Sequence, residues 1–148
     1  YRSRYGRTVT EMDNSLFTHL TLNSNPLHFD ARLAADTQWK KILVNSTFTL
    51  ALIVGMSVPD VSENALANLG WEAVKLPNPV FVGDTLYCET EVLAKRESRS
   101  YANAGIVQVR SRGINQDGKV VIDFTRSVMI YKKGHAPHDD FFPAVEGG

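Results

Sequence analysis

A chain of 148 residues, 43% of them hydrophobic and 22% charged, is long enough for one globular domain with its own core. Its 16 basic and 16 acidic side chains cancel, so charge gives no reason to expect binding to nucleic acid or to a membrane surface. The longest apolar stretch, around Leu50–Val54, is too short to span a bilayer. A single cysteine, Cys88, excludes an intrachain disulfide. With no apolar signal segment at the start, this predicts a cytoplasmic protein.

Two helices are predicted in the first part of the chain. Thr10 and Asp13 have the spacing of a capping box, in which a hydroxyl and a carboxylate three residues later close the first turn of a helix. Pro26 must lie beyond the end of that helix, because proline lacks the N–H that a helix interior needs. Asp30 is placed to cap a short second helix, Ala31–Asp36.

The run Ser46–Met56 is apolar nearly all round, with small residues among the large ones. Such a run predicts a helix that is buried on most sides. Asn45 or Ser46 can cap its start. A buried strand is the alternative, because β-branched residues are frequent here, but the length favours a helix.

From Ala65 onward the apolar period changes to two, which is typical of strands. The residues Asn115–Gly118 predict a hairpin turn, with Gly118 where a positive φ is needed. The segment Gly134–Gly148 lacks periodicity and predicts a flexible tail behind a single domain at 1–133. Four strands are predicted: Ala67–Val74, Thr85–Ala94, Gly105–Ile114 and Val120–Tyr131.

Helices come first in the chain and strands follow without intervening helices. This segregation predicts an α+β fold, in which an antiparallel sheet wraps around the central hydrophobic helix. A sheet of about five strands leaves a long unpaired edge. Pairing two such edges across a two-fold axis covers them, so the pattern favours a homodimer.

The densest polar and conformationally restricted segment is Asn23-Ser24-Asn25-Pro26-Leu27-His28. Pro26 restricts the backbone, and a histidine two residues later can titrate near neutral pH. Taken alone, the segment also fits a turn that carries a surface histidine.

Two motifs together resemble the MaoC-like (R)-specific enoyl-CoA hydratases and 3-hydroxyacyl-CoA dehydratases. The first is the family signature D-x-N-P-x-H, followed after five residues by a small residue; here it is Asn23–His28 with Ala34. The second is a Pro-Val-Phe-x-Gly-Asp turn that opens a strand, here Pro79–Asp84. The resemblance runs from about Arg7 to Tyr131 and implies a hot-dog fold.

The resemblance also implies a reaction and roles for residues. A histidine, here His28, and an aspartate deprotonate a water that adds to the β-carbon of a 2-enoyl thioester. A backbone N–H at the start of the hot-dog helix, here that of Ser46, stabilises the enolate oxygen. Asn25, Pro26 and Asn45 are expected to line the substrate site. The implied partner is an acyl-CoA substrate, with no metal and no cofactor beyond the CoA of the substrate.

The sequence departs from the family where the catalytic aspartate is expected, because this chain has Asn23. An amide can orient water but cannot accept its proton at neutral pH. In one interpretation, His28 acts alone as base while Asn23 positions the water. Alternatively, Glu11, Asp13 or Asp30 supplies the carboxylate, although Asp13 and Asp30 already have capping roles. The third alternative is a domain that has lost hydration and only binds acyl-CoA.

The version of the motif that begins Thr21-Leu22-Asn23 resembles the branch that handles short, branched or dicarboxylic acyl-CoAs, such as mesaconyl or methylmalyl thioesters. An acyl-CoA thioesterase on the same scaffold is a weaker alternative. Thioesterases of this fold need a carboxylate on the central helix, and Ser46–Met56 contains none.

Three arginines, Arg110, Arg112 and Arg126, fall on predicted strands. We expect them on solvated strand faces, and binding of CoA phosphates or a substrate carboxylate is the alternative. His135 and His138 have no further ligands at metal spacing, so no zinc site is predicted.

Overall fold

A computed structural model describes residues 1–137, and the predicted tail Gly134–Gly148 lies for the most part outside them. Short 3₁₀ and π-helical turns at Pro26–His28 and Val58–Ser62 join longer elements. In chain order these are β1 (Arg7–Thr8), α1 (Glu11–Leu20), α2 (Ala31–Asp36), α3 (Ser46–Met56), β2 (Ala65–Lys75), β3 (Thr85–Glu97), β4 (Ala104–Ile114) and β5 (Val120–Tyr131).

The five strands form one antiparallel sheet in the order β1-β3-β4-β5-β2, which wraps around α3. The predicted α+β hot-dog architecture is therefore confirmed, as are the four long strands with small changes at their ends. Only β1 was not predicted, because two residues are too short to show an alternating pattern. Gly118 has the expected positive φ, 75°, in the β4–β5 turn.

The predicted helix caps are also confirmed. The Thr10 hydroxyl accepts the Asp13 N–H, and the Asp13 carboxylate accepts the Thr10 N–H. Asp13 also pairs with Arg7, and this contact holds the pKa of the Asp13 carboxyl far below its usual range. Asp30 caps α2 by accepting the Leu33 N–H at 2.9 Å.

The helix α3 packs closely on β4 at Gly113. A Cβ atom at this position would lie 2.7 Å from Ile53 and 2.8 Å from Ile122, so only glycine allows this approach. The main core lies around this contact. Its buried members are Val9, Val44, Ile53, Val80, Leu86, Cys88, Val121, Ile122 and Phe124.

In the single chain α3 is covered on fewer sides than its composition predicts. Only Thr49 and Ile53 are buried, whereas Ala51 and Gly55 are exposed. A helix that is apolar around its circumference normally has protein on all sides. One side of α3 is thus left without cover by the described residues of this chain.

Helix α1 has its polar side turned inward. Asn14 and Thr18 are buried, whereas Met12, Leu16 and Leu20 are more than half exposed. The buried amide and hydroxyl must find hydrogen-bond partners inside the protein. These partners lie at the site described below.

Arg126 corrects the prediction that all three strand arginines face solvent. Its side chain is 2% exposed and faces the end of α3, where Nη2 donates to Ser57 Oγ at 2.9 Å and Ser62 Oγ at 3.3 Å. Burial lowers the pKa of its guanidinium. A cation is favoured there because the last carbonyls of a helix carry partial negative charge.

Arg110 and Arg112 do face solvent, paired with Asp123 and Glu89 respectively.

Among residues 1–137, no helix is long and apolar enough to cross a membrane. The single cysteine, Cys88, lies in the core, and burial raises the pKa of its thiol.

Candidate active site

His28 ends the 3₁₀ turn that follows α1. Asn25 caps this turn, because its Oδ1 accepts the Leu27 N–H at 3.1 Å, and Pro26 fills the first position, where no N–H is needed. The Leu43 N–H donates to the Leu27 carbonyl at 3.0 Å and so joins the turn to the segment before α3. The polar motif therefore builds a rigid loop that carries a half-buried histidine.

The imidazole of His28 is oriented by one backbone carbonyl. Its Nδ1 lies 3.0 Å from the Leu43 oxygen. A carbonyl oxygen can only accept, so this contact assigns the proton of a neutral ring to Nδ1 and leaves Nε2 with a free lone pair. A histidine in this tautomer is ready to accept a proton at Nε2.

Ser46 is the first residue of α3. Asn45 is the cap, and its Oδ1 accepts the Thr47 N–H at 3.0 Å. First-turn N–H groups have no partner within their own helix, and no acceptor in residues 1–137 takes the Ser46 N–H. The start of α3 therefore offers a free donor at the positive end of a helix dipole.

His28 and Ser46 line the same cavity, which has a volume of about 260 Å³ and which we call the helix-end cavity. It lies between the start of α3 and the connection from β2 to β3. Its other lining residues are Trp39, Leu43, Val44, Thr49, Leu76, Pro77, Asn78, Pro79, Val80 and Val121. The mostly apolar lining with few polar groups is typical of small-molecule sites.

Asn23 does not line the helix-end cavity in this chain. Its Oδ1 accepts the Asn25 N–H at 3.3 Å, and the residue lines a separate cleft beside α1. Of the alternative carboxylates, Asp13 and Asp30 are engaged in their caps. Glu11 instead lines a third cavity of about 400 Å³, which His28 also lines.

The three predicted substrate-contacting residues have structural contacts in this chain. Asn25 and Pro26 shape the turn that holds His28, and Asn45 is fully buried beneath the start of α3. None of them lines the helix-end cavity, the Asn23 cleft or the Glu11 cavity. The roles assigned to them and to His28, Ser46 and Asn23 stay predictions.

Some lining residues were missed by sequence reasoning. Asn78 stands between Pro77 and Pro79, lines the helix-end cavity, and donates through Nδ2 to the Val120 carbonyl at 2.7 Å. A polar residue between two prolines, directly before the second family motif, was a usable signal. Trp39 had no such signal, because it follows α2 in an irregular segment.

The geometry can support acid–base chemistry beside an oxyanion. A free imidazole nitrogen and an unpaired helix N–H belong to residues that line one cavity, as needed to move a proton while negative charge develops on an oxygen. No group of three or more His, Cys, Asp or Glu side chains within residues 1–137 is placed to hold a metal ion.

Comparison with known proteins identifies the family of the chain. The model of the MaoC like domain matches residues 1–112. The chain is 35% identical over 130 residues to the mesaconyl-CoA hydratase of Cereibacter sphaeroides, covering 88% of this chain and 38% of that protein. It is 33% identical over 127 residues to the β-methylmalyl-CoA dehydratase of Chloroflexus aurantiacus, covering 86% and 36%. The chain thus spans less than two fifths of the length of these relatives.

A solved structure of similar length is also similar to this chain in fold and sequence. The unliganded R-hydratase of Pseudomonas aeruginosa superposes with a TM-score of 0.75 at 30% identity, covering 90% of this chain and 81% of that one. Given the family match over most of its length, the sheet wrapped around α3 and the two motifs in order, this chain belongs to the MaoC-like domain family.

Proposed function

We propose that this chain is a hydro-lyase that adds water to a 2-enoyl-CoA thioester, or removes it from the corresponding 3-hydroxyacyl-CoA. The observation that carries the proposal is the shared cavity, which brings together His28 and the N-terminus of α3 at Ser46. The names of the relatives support it, because they are hydratases and dehydratases of CoA thioesters.

In the proposed mechanism, His28 Nε2 accepts a proton from a water molecule as the water oxygen bonds to the β-carbon. The electron pair of the double bond moves to the thioester oxygen, which becomes an enolate. The Ser46 N–H donates to this oxygen, where the helix dipole adds to the stabilisation. The imidazolium then returns a proton to the α-carbon, so that one water is added and the base is regenerated.

This reaction needs neither metal nor redox cofactor, because only protons and one water are transferred. Two groups already account for the charge that develops: an imidazole that becomes a cation and a backbone donor that meets an oxyanion. CoA takes part only as the thiol portion of the substrate.

The proposed substrate class is a short, branched or dicarboxylic acyl-CoA. The two relatives described in the comparison are named for mesaconyl-CoA and β-methylmalyl-CoA, which carry a free carboxylate beside the thioester.

The proposed active form is a cytoplasmic homodimer. Trp71 pairs with Arg126 across the β2–β5 ladder and therefore lies on the side of the sheet that faces α3, yet it is 47% exposed. β2 is an edge strand of 11 residues with no neighbour on its outer side among the described residues. A second copy on this edge would cover the strand and Trp71. Substrate would enter between the subunits, because the helix-end cavity begins just beyond β2.

A hydration assay tests the function. A panel of short 2-enoyl-CoAs and 3-hydroxyacyl-CoAs is followed by the absorbance of the conjugated thioester, with free thiol measured in parallel. We expect reversible conversion for at least one dicarboxylic or branched member. We also expect the His28→Ala variant to be at least about 10²-fold slower.

Three results would contradict the proposal. Release of CoA without loss of the double bond would indicate a thioesterase. Binding of acyl-CoA with no conversion would indicate a domain that only binds. Near-normal turnover by His28→Ala would remove His28 from the mechanism.

A further inference from the structure

Asn14 is a buried polar residue on the inner side of α1, with 2% of its surface exposed. Its Nδ2 donates to the carbonyls of His28 at 2.9 Å and Leu43 at 3.3 Å. Its Oδ1 accepts the backbone N–H of Asn45 at 2.8 Å. Since a primary amide has two N–H bonds and one oxygen, these contacts use both donors and the acceptor. One side chain thus joins segments that lie 14, 29 and 31 residues away in the chain.

Each backbone group that Asn14 contacts is part of the proposed reaction geometry. His28 carries the base. The Leu43 carbonyl accepts the hydrogen bond from His28 Nδ1 and so sets the tautomer. Asn45 directly precedes Ser46, whose N–H is the proposed oxyanion donor. Asn14 is therefore the side chain through which the base and the donor are held relative to each other.

We propose that Asn14 is a positioning residue for the hydration reaction. Its amide keeps the Leu43 carbonyl in place, so that His28 holds its proton on Nδ1, and it fixes Nε2 at working distance from the Ser46 N–H. It acts through these groups, since Asn14 itself does not line the helix-end cavity. A displacement of about 1 Å between such groups can cost on the order of 100-fold in rate. The inference rests on the proposed function for its kinetic part.

The test uses Asn14→Asp, which is nearly isosteric. An ionised aspartate can still accept the Asn45 N–H, but it cannot donate to the carbonyls of His28 and Leu43, and it repels them. We expect kcat to fall by about 10²-fold while KM changes little, because binding groups are untouched and only the reacting geometry is lost.

A second readout is the ¹⁵N NMR spectrum of the imidazole nitrogens, measured at a pH where the ring is neutral. The His28 signals are identified by their loss in His28→Ala. We expect one tautomer in the unmodified protein, with the proton on Nδ1, and a mixture of both in Asn14→Asp. A residue that only stabilises the fold would not change this ratio.

The matched control is Asn115→Ala. Asn115 is also a buried asparagine, but its Oδ1 accepts the N–H groups of Asp117 and Lys119 in the β4–β5 turn, away from the cavity. We expect this variant to lose thermal stability and to keep both the kcat and the tautomer of His28. If Asn14→Asp does not fold, Asn14→Ser, which keeps one hydroxyl donor, takes its place.

The proposal is overturned if the unmodified protein carries the His28 proton on Nε2, or if the Asn14 variants keep the tautomer and kcat of the unmodified protein. The proposal is also overturned if the Asn14 variants lose no more kcat than Asn115→Ala. If the unmodified protein hydrates no enoyl-CoA, the proposed function fails, while the NMR measurement still decides whether Asn14 sets the tautomer.

Discussion

At the residue scale, the site depends on groups whose hydrogen-bonding capacity is left unused. His28 donates from Nδ1 to the Leu43 carbonyl, so Nε2 is left free to accept a proton. Ser46 is the first residue of α3, so its N–H has no partner within the helix, while Asn45 caps the next turn. Around them, Asn14 satisfies the carbonyls of His28 and Leu43 and the N–H of Asn45. At the start of α3, the groups left unsatisfied are therefore ones that a substrate can use.

The oxyanion donor can be tested although it belongs to the backbone. Proline at position 46 removes the N–H together with the serine hydroxyl, and it is tolerated at the first position of a helix. The backbone of Asn45, at φ −56° and ψ 125°, is already in a conformation that suits a residue before proline. We expect Ser46→Pro to lower kcat by about 10²- to 10³-fold, as measured by steady-state hydration. Ser46→Ala, which keeps the N–H, should retain near-normal turnover; equal losses in both variants would refute a backbone role.

Single substitutions also decide which residue, Asn23 or Glu11, assists His28 in activating the water. If Asn23 orients the water for His28, Asn23→Ala should lower the hydration rate on the order of tenfold, the effect of one lost hydrogen bond. Asn23→Asp should retain or raise activity, since a carboxylate can both orient water and accept its proton. Glu11→Gln is the comparison, and we expect it to have little effect. Inactivity of Glu11→Gln beside normal Asn23 variants would instead assign the role to Glu11.

At the element scale, the position of the site is set by how closely α3 packs on the sheet. The absent side chain of Gly113 lets Ile53 reach β4, and this contact fixes the helix whose first residue is Ser46. Arg126 holds the other end of the same helix through Ser57. The two contacts together determine where the N-terminus of α3 meets His28.

A matched pair of glycine substitutions tests this packing. Gly113→Ala would place a Cβ atom 2.7 Å from Ile53, so we expect a loss of about 1–3 kcal/mol in the free energy of unfolding. Gly55→Ala, with nothing of the same chain within 4 Å, should create no such clash within the chain, so we expect it to be more stable than Gly113→Ala. Chemical denaturation of both variants is the measurement. If Gly113→Ala is as stable as the unmodified protein, the helix is free to move away from the sheet.

At the scale of the whole molecule, one chain leaves apolar surface uncovered on the inner side of its sheet. The outer edge of β2 has no neighbour among the described residues, and Leu76, directly after β2, lines the helix-end cavity. A sheet edge and an apolar helix side both favour contact with another protein surface. Assembly and catalysis are therefore expected to depend on the same edge.

We expect a dimer at micromolar concentration in sedimentation velocity experiments. Trp71→Lys, on the side of β2 that faces α3, should shift the protein toward monomer and lower its hydration activity together. Tyr87→Lys is the matched control, because Tyr87 is similarly exposed at 42% but lies on β3, away from this edge. A monomeric unmodified protein with full activity would exclude the dimer as the active form.

The local elements of this protein could be predicted because local interactions define them. Caps such as Thr10–Asp13 act within one helical turn, and alternating apolar residues identify strands without reference to the rest of the chain. The first family motif identified His28 as a candidate. The role of Ser46 at the start of the central helix was implied by the resemblance and not by spacing.

The tertiary structure alone decided which distant residues meet. Asn14 looked like an ordinary helix residue, yet it contacts backbone up to 31 residues away, because α1 packs with its polar side inward. Arg126 shares the inward face of β5 with Phe124 and Val128, but only the packing of α3 shows that its guanidinium meets Ser57 at the end of that helix. Asn23 and His28, five residues apart in one motif, face different cavities. Sequence by itself determined the elements, since these depend on neighbours along the chain; packing between elements decided the site, since it brings together residues that no local pattern connects.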